Sequence, residues 1–152
     1  MAMNKLRIYV ENSVIGGYFE KEFETPTKLL FEMFRKDIYI PVISQHVLAE
    51  LSQGAPDHVI NLLTTIKYEV YELTNTMDEL KNRYMEQRIV SKRYEDDALH
   101  IAIATILKVD ALVSWNFKHI VNLNKINLFN SVNIREGYKT PEIRTPQEVV
   151  IL

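Results

Sequence analysis

Apolar residues along this chain fall into short continuous runs alternating with stretches of helical period, a pattern that predicts strands followed by helices. Leu6 to Val10 reads as a strand, with Gly16-Gly17 as a flexible turn soon after it. Thr25-Pro26 has the form of a helix N-cap followed by proline at the first helical position. It opens a helix over 27–36 whose apolar stripe is Leu29, Leu30, Met33 and Phe34. Ile38 to Ile43 is a second strand-like run, and Ser44 caps a helix carrying Val47, Leu48 and Leu51. A further short helical pattern runs from Pro56-Asp57 to Ile66, and 68–73 alternates like a strand. Thr76-Met77-Asp78-Glu79 has capping-box spacing and starts a polar helix to about Val90. Asp97 to Leu107 is the most apolar helix, and Ala111 to Trp115 is a short buried strand after it. Thr145-Pro146-Gln147-Glu148 promises a short final helix. No repeat, linker or low-complexity segment interrupts the order. Alternating strands and helices predict an α/β fold, a three-layer α/β/α sandwich on a mainly parallel central sheet.

Composition narrows this picture. A chain of 152 residues is the size of one domain, expected over 1–152. With 47% hydrophobic and 25% charged residues it has the balance of a soluble globular protein. No apolar stretch approaches the roughly 20 residues of a membrane span. The opening Met1-Ala2-Met3-Asn4-Lys5-Leu6-Arg7 lacks the apolar core and cleavage site of an export signal, so residence in the cytoplasm is expected. The absence of cysteine excludes disulfides, thiolate catalysis and cysteine-held metals, leaving oxygen or histidine as the ligands of any metal. A net charge of −2 means that nucleic acid would need a local basic face, for which Lys92, Arg93, Lys108, Lys118, His119 and Lys125 are the candidates. Taken singly, each of these reads as a solvated charge.

Candidate chemistry lies where polar residues end hydrophobic elements. In Tyr94-Glu95-Asp96-Asp97-Ala98-Leu99-His100 the acids stand at a helix start, where unpaired N–H groups and the dipole favour negative charge. Glu11 follows the first strand and Asn116 the strand ending at Trp115, so both fall at the carboxyl edge of a parallel sheet, where such folds bind ligands. Glu50 sits on the flank of an apolar stripe, which is costly for a carboxylate unless it is paired or bound to a cation. Alone it reads as an ion pair or a solvated edge residue. With Asp97 and Glu11 at the same sheet edge, a divalent-metal site is the better reading.

Four segments in order, Ile8 to Gly17, Ser44 to Glu50, Asp97 to Ala102 and Leu112 to His119, resemble the motifs of the PIN-domain family, the nuclease fold of VapC-type toxins. The resemblance covers nearly the whole chain. It implies a metal-dependent endoribonuclease, a hydrolase that holds Mg²⁺ or Mn²⁺ with clustered carboxylates and cleaves RNA through metal-activated water. It further implies an antitoxin protein as partner and a homodimer. Carried onto these positions, Glu11 and Asp97 are direct metal ligands, Glu50 holds a second ion or a metal-bound water, and Asn116 orients that water. Ser13 donates to a carboxylate or a phosphate, or caps the first βα turn. Lys118 and His119 stand at the mouth of the site as RNA contacts or as plain surface residues. Asp96 reads as a solvated helix-start charge, and His100 as a buried supporting histidine.

Two positions depart from the family's pattern, which has aspartate where Glu11 and Asn116 stand. Glutamate adds about 1.5 Å of reach, and a misplacement of about 1 Å can cost on the order of 100-fold in rate. Asparagine keeps an oxygen but loses a charge. The alternative reading is therefore a catalytically weakened PIN-fold RNA- or protein-binding regulatory module. A receiver-like phosphoacceptor, which also gathers carboxylates at a sheet edge, fits poorly because Asp96-Asp97 begins a helix instead of following the first strand.

Overall fold

The computed structural model describes residues 4–150; Met1 to Met3, where the segment expected to lack an export signal begins, lie outside them. Five parallel strands form the sheet: β1 (Arg7–Val10), β2 (Ile40–Ser44), β3 (Glu69–Tyr71), β4 (Ala111–Val113) and β5 (Glu142–Arg144). Their spatial order is β3-β2-β1-β4-β5. The helices are α1 (Asn12–Gly17), α2 (Glu24–Arg35), α3 (Gln45–Ser52), α4 (Asp57–Leu62), α5 (Asn75–Glu86), α6 (Glu95–Ile106), α7 (Leu123–Arg135) and α8 (Pro146–Val149).

Strand order and handedness together explain the layers. From β1 the chain steps one way to β2 and β3, then crosses back over β1 to β4 and β5 on the other side. Right-handed crossovers place the helices of the two directions on opposite faces. The contacts agree: α1 packs on α2, α3 and α4, α2 also meets α8, and α5 packs on α6 and α7. The result is the expected three-layer α/β/α sandwich. Among the described residues no helix is long and apolar enough to cross a membrane.

The core lies on both faces of β1 and β4. Tyr9, Val10, Leu112 and Val113 are fully buried, as are Ile101, Ala102, Ile103 and Ala104 of α6. A strand covered on both sides has no polar face, which is why these runs are continuously apolar.

Several boundaries differ from the sequence reading. Gly16-Gly17 closes a helix instead of forming a turn, because Gly17 lets Trp115 approach: a Cβ there would lie 2.8 Å from Trp115 Cδ1. Helix α2 starts at Glu24 after Phe23, with no side-chain cap, and α5 is capped by Thr74 instead of Thr76. Helix α6 begins at Glu95, so Asp97 is its third residue. The capping box of Thr145 and Glu148, with Pro146 inside, forms as expected. Two elements had no clear signal. Helix α7 carries Asn124, Asn127, Asn130 and Asn133, poor helix formers, and is started by Asn122, whose side chain accepts from Lys125 N at 3.1 Å. Strand β5 is only three residues long.

Candidate active site

The crevice opens at the carboxyl ends of β1 and β4, where strand order reverses and parallel sheets present ligand sites. Val10 pairs with Val113, so Glu11 and Ser114 leave the sheet side by side. Glu11 is buried and caps α1 in extended conformation. Its Oε1 accepts from Ser13 N at 3.1 Å, from the Ser13 hydroxyl and from Ser114 Oγ at 2.7 Å. Ser13 Oγ in turn accepts from Trp115 N at 2.8 Å. Ser13 is therefore built into the support of Glu11 and ties β1 to the chain beyond β4. Glu11 Oε2 makes no hydrogen bond among the described residues.

Asp97, half-buried near the start of α6, is the second acid of this crevice. Burial raises its pKa above the ordinary carboxylate value; Glu11 and Asp96 push the same way, and the His100 imidazole and the Asn116 amide oppose them. Asn116 Oδ1 accepts from Lys118 N at 3.2 Å and from His119 N at 2.9 Å. Two backbone donors fix which end of the amide is oxygen. The oxygen expected to serve a cation or its water is thus spent on a turn, and Asn116 faces Asp97 as a neighbouring amide.

Glu50 belongs to a different group. On α3 it follows His46 by one turn, and its Oε1 lies 3.1 Å from His46 Nε2 and 3.2 Å from Nε2 of the buried His100. Asp96, exposed, brings Oδ1 to 3.5 Å from His46 Nε2. Among the described residues, the three groups whose ligand atoms all lie within 4.8 Å of one another are His46, Glu50 and His100. Glu11 and Asp97 do not join them, so the set Glu11, Glu50 and Asp97 expected from the sequence is divided between two neighbouring clusters. His100 links the two, for its pKa, which burial would lower, is raised by Glu50, Glu11 and Asp97. Burial would raise Glu50, but His100 and His46 outweigh it and hold the carboxyl below its usual value. His46 is lowered by burial and by His100, against the pull of Glu50 and Asp96.

The residues fit a divalent cation. Among the described residues, buried Nε2 of His46 and Oε1 of Glu50 find no hydrogen-bond partner, and the crowding of Asp97 by Glu11 is of the kind a cation relieves.

The outer basic residues separate. Lys118 is exposed, with Nζ 5.4 Å from the centroid of the Tyr94 ring. His119, expected at the mouth, is buried instead: its ring lies 3.9 Å from that of Tyr94, and neither ring nitrogen makes a hydrogen bond among the described residues. Burial, aided by Lys125 and Lys118, lowers its pKa. The apolar neighbours Ile120 and Val121 draw the turn inward and take His119 with it.

His46 is the member that the sequence reading passed over. Its signal was the spacing His46-Val47-Leu48-Ala49-Glu50, which puts imidazole and carboxylate on one helix face.

No family profile matches the chain, and no curated protein matches it. Among solved structures the chain is similar to Mycobacterium tuberculosis VapC20, described as a Sarcin-Ricin loop cleaving toxin. The two are 12% identical, with a TM-score of 0.48 over 87% of this chain and 96% of that one.

Proposed function

We propose that this chain is a metal-dependent endoribonuclease of PIN type, the VapC-like toxin of a toxin–antitoxin pair. It works in the cytoplasm as a homodimer until an antitoxin covers the crevice. The observation that carries this reading is the convergence of Glu11 and Asp97, from chain segments far apart, on the switch point between β1 and β4, close enough that Glu11 helps to raise Asp97. The order of the four sequence segments supports the same reading.

In this proposal Glu11 Oε2 and the Asp97 carboxylate hold Mg²⁺ or Mn²⁺, while Glu50 serves a second cation position. The bound ion supplies the charge that makes water nucleophilic at neutral pH and offsets the developing charge on phosphate. The protein's own part is positioning. Ser13 and Ser114 grip Glu11 Oε1 and leave its other oxygen free, which suits Ser13 to supporting the carboxylate and not to binding phosphate. Asn116 steadies Asp97. Lys118, exposed beyond Asn116, meets the RNA backbone, and buried His119 supports the turn that carries it.

The test is cleavage of single-stranded and structured RNAs by the purified chain with EDTA, Mg²⁺ or Mn²⁺, beside Asp97→Asn. Metal-dependent products that disappear in the variant are expected; cleavage that survives both EDTA and the substitution overturns the assignment. One observation favours the second reading, an RNA- or protein-binding regulatory module: Asn116 Oδ1 is committed to two backbone donors. Folded protein that binds RNA and yields no product with any metal would establish that module.

A further inference from the structure

We propose that His46, Glu50 and His100 form a nitrogen-rich site for a transition-metal ion of the Mn²⁺ to Zn²⁺ series, distinct in chemistry from the oxygen site of Glu11 and Asp97. The proposal stands on this cluster alone and does not depend on ribonuclease activity.

Three observations carry it. The first is separation. Two ligands held at about 2.0–2.1 Å by a tetrahedral ion stand about 3.3 Å apart, and Glu50 Oε1 is 3.1 Å from His46 Nε2 and 3.2 Å from His100 Nε2. The second is direction. At such distances an imidazole N–H pointing at a carboxylate would be an ordinary hydrogen bond, yet buried His46 Nε2 and Glu50 Oε1 make none among the described residues. Atoms that are close without facing one another are disposed as ligands of a common third atom. The third is support. His100 is buried, and its other ring nitrogen, Nδ1, lies 2.9 Å from the Tyr9 hydroxyl, which lies 2.9 Å from Ser44 Oγ. A metal-binding histidine is held in this way through its second nitrogen, which fixes both ring angle and tautomer.

The donor set selects the ion. Two imidazoles and one carboxylate suit Zn²⁺, Fe²⁺, Co²⁺ or Ni²⁺, whereas Mg²⁺ demands oxygen. Three protein donors leave positions open for water or a ligand, as in catalytic rather than structural sites. Asp96 at the rim is placed to approach such a position.

The experiment is titration of the EDTA-stripped full chain with Co²⁺, read by its visible absorption and needing no RNA. One equivalent is expected to saturate a band stronger than that of aqueous Co²⁺. Zn²⁺ should abolish the band, and excess Mg²⁺ should leave it. Glu50→Gln and His46→Ala should each weaken binding by at least the roughly 10- to 100-fold that loss of a mere supporting group costs. His46→Gln takes the place of His46→Ala if the latter does not fold. Asp97→Asn should keep the stoichiometry, which separates this site from the cation position of Glu11 and Asp97. A wild-type chain with no saturable band, an affinity unchanged in both Glu50 and His46 variants, or displacement by Mg²⁺ would each overturn the proposal.

Discussion

The Tyr9 hydroxyl lies 2.9 Å from Nδ1 of His100, a residue 91 positions later in the chain. Both side chains are buried, so this contact joins the middle of the sheet to α6 and replaces the water that each polar group gave up on folding. Burial pushes the Tyr9 phenol far above its usual range, so it stays a neutral hydroxyl. Tyr9→Phe removes the partner of Nδ1 without a large change of volume. The expected loss is about 1–3 kcal/mol of unfolding free energy, the cost of a stranded buried polar group. Denaturant unfolding of the two proteins measures it; equal midpoints would mean that His100 finds another partner.

Gly17 is expected to resist even alanine. The added Cβ would stand 2.8 Å from Trp115 Cδ1 and 2.9 Å from Nε1. The indole cannot retreat freely, because it is stacked on Phe23 and its Nε1 donates to Thr27 Oγ1 at 2.9 Å. Gly17→Ala should therefore destabilise by about 1–3 kcal/mol through overpacking, against a gain of at most about 1 kcal/mol in helix propensity. Trp115 is the only tryptophan, so its fluorescence follows both unfolding and the local shift. A variant as stable as the parent, with an unchanged emission maximum, would refute the account.

Lys81 joins α5 to α6 by reaching Asp78 at 2.9 Å and Glu95 at 3.1 Å. Hydrogen bonds from Lys92 and Lys81 hold Glu95 below its ordinary value of 4.5. A carboxyl lowered on folding contributes stability above its unfolded pKa and loses it as pH falls through the folded one. Lys81 is raised above 10.5, since its two carboxylates outweigh burial, and its share is lost only as pH rises through that higher value. Lys81→Met should cost about 1 kcal/mol or less near neutrality, given the exposure of the acids. The gap between the two unfolding curves should narrow from pH 7 to pH 3. A gap that stays constant would assign the effect of Lys81 to packing.

The sequence revealed the elements whose apolar pattern is unbroken. β1, β2, α3 and α6 could be read because their apolar runs or helical repeats meet no competing signal, and Thr145-Pro146-Gln147-Glu148 carries its cap openly. Helix α7 could not, since four asparagines dilute its stripe and its stability comes from Phe129, Val132 and Asn133 packed inward. Gly16-Gly17 read as a turn because the need for space beside Trp115, nearly a hundred residues away, leaves no local mark. At the site, Glu11, Asp97 and Asn116 were placed by their positions at element ends. Their hydrogen bonds were not visible: nothing local indicates that Asn116 Oδ1 is taken up by its own turn. His46 escaped because one polar residue on an amphipathic helix reads as an edge position until α6 brings His100 against it.

The pairing of β1 with β4 has a consequence for the chain during synthesis. Glu11 leaves the ribosome before Ser114, which grips it, and the Trp115 N–H, which anchors Ser13; both follow more than a hundred residues later. Until then β1 lacks one of its two neighbours in the sheet, and the acid at its end lacks the Ser114 hydroxyl. A nascent or truncated chain that stops short of β4 has no crevice to offer. Whatever chemistry the crevice performs begins only once the chain through Trp115 has been made.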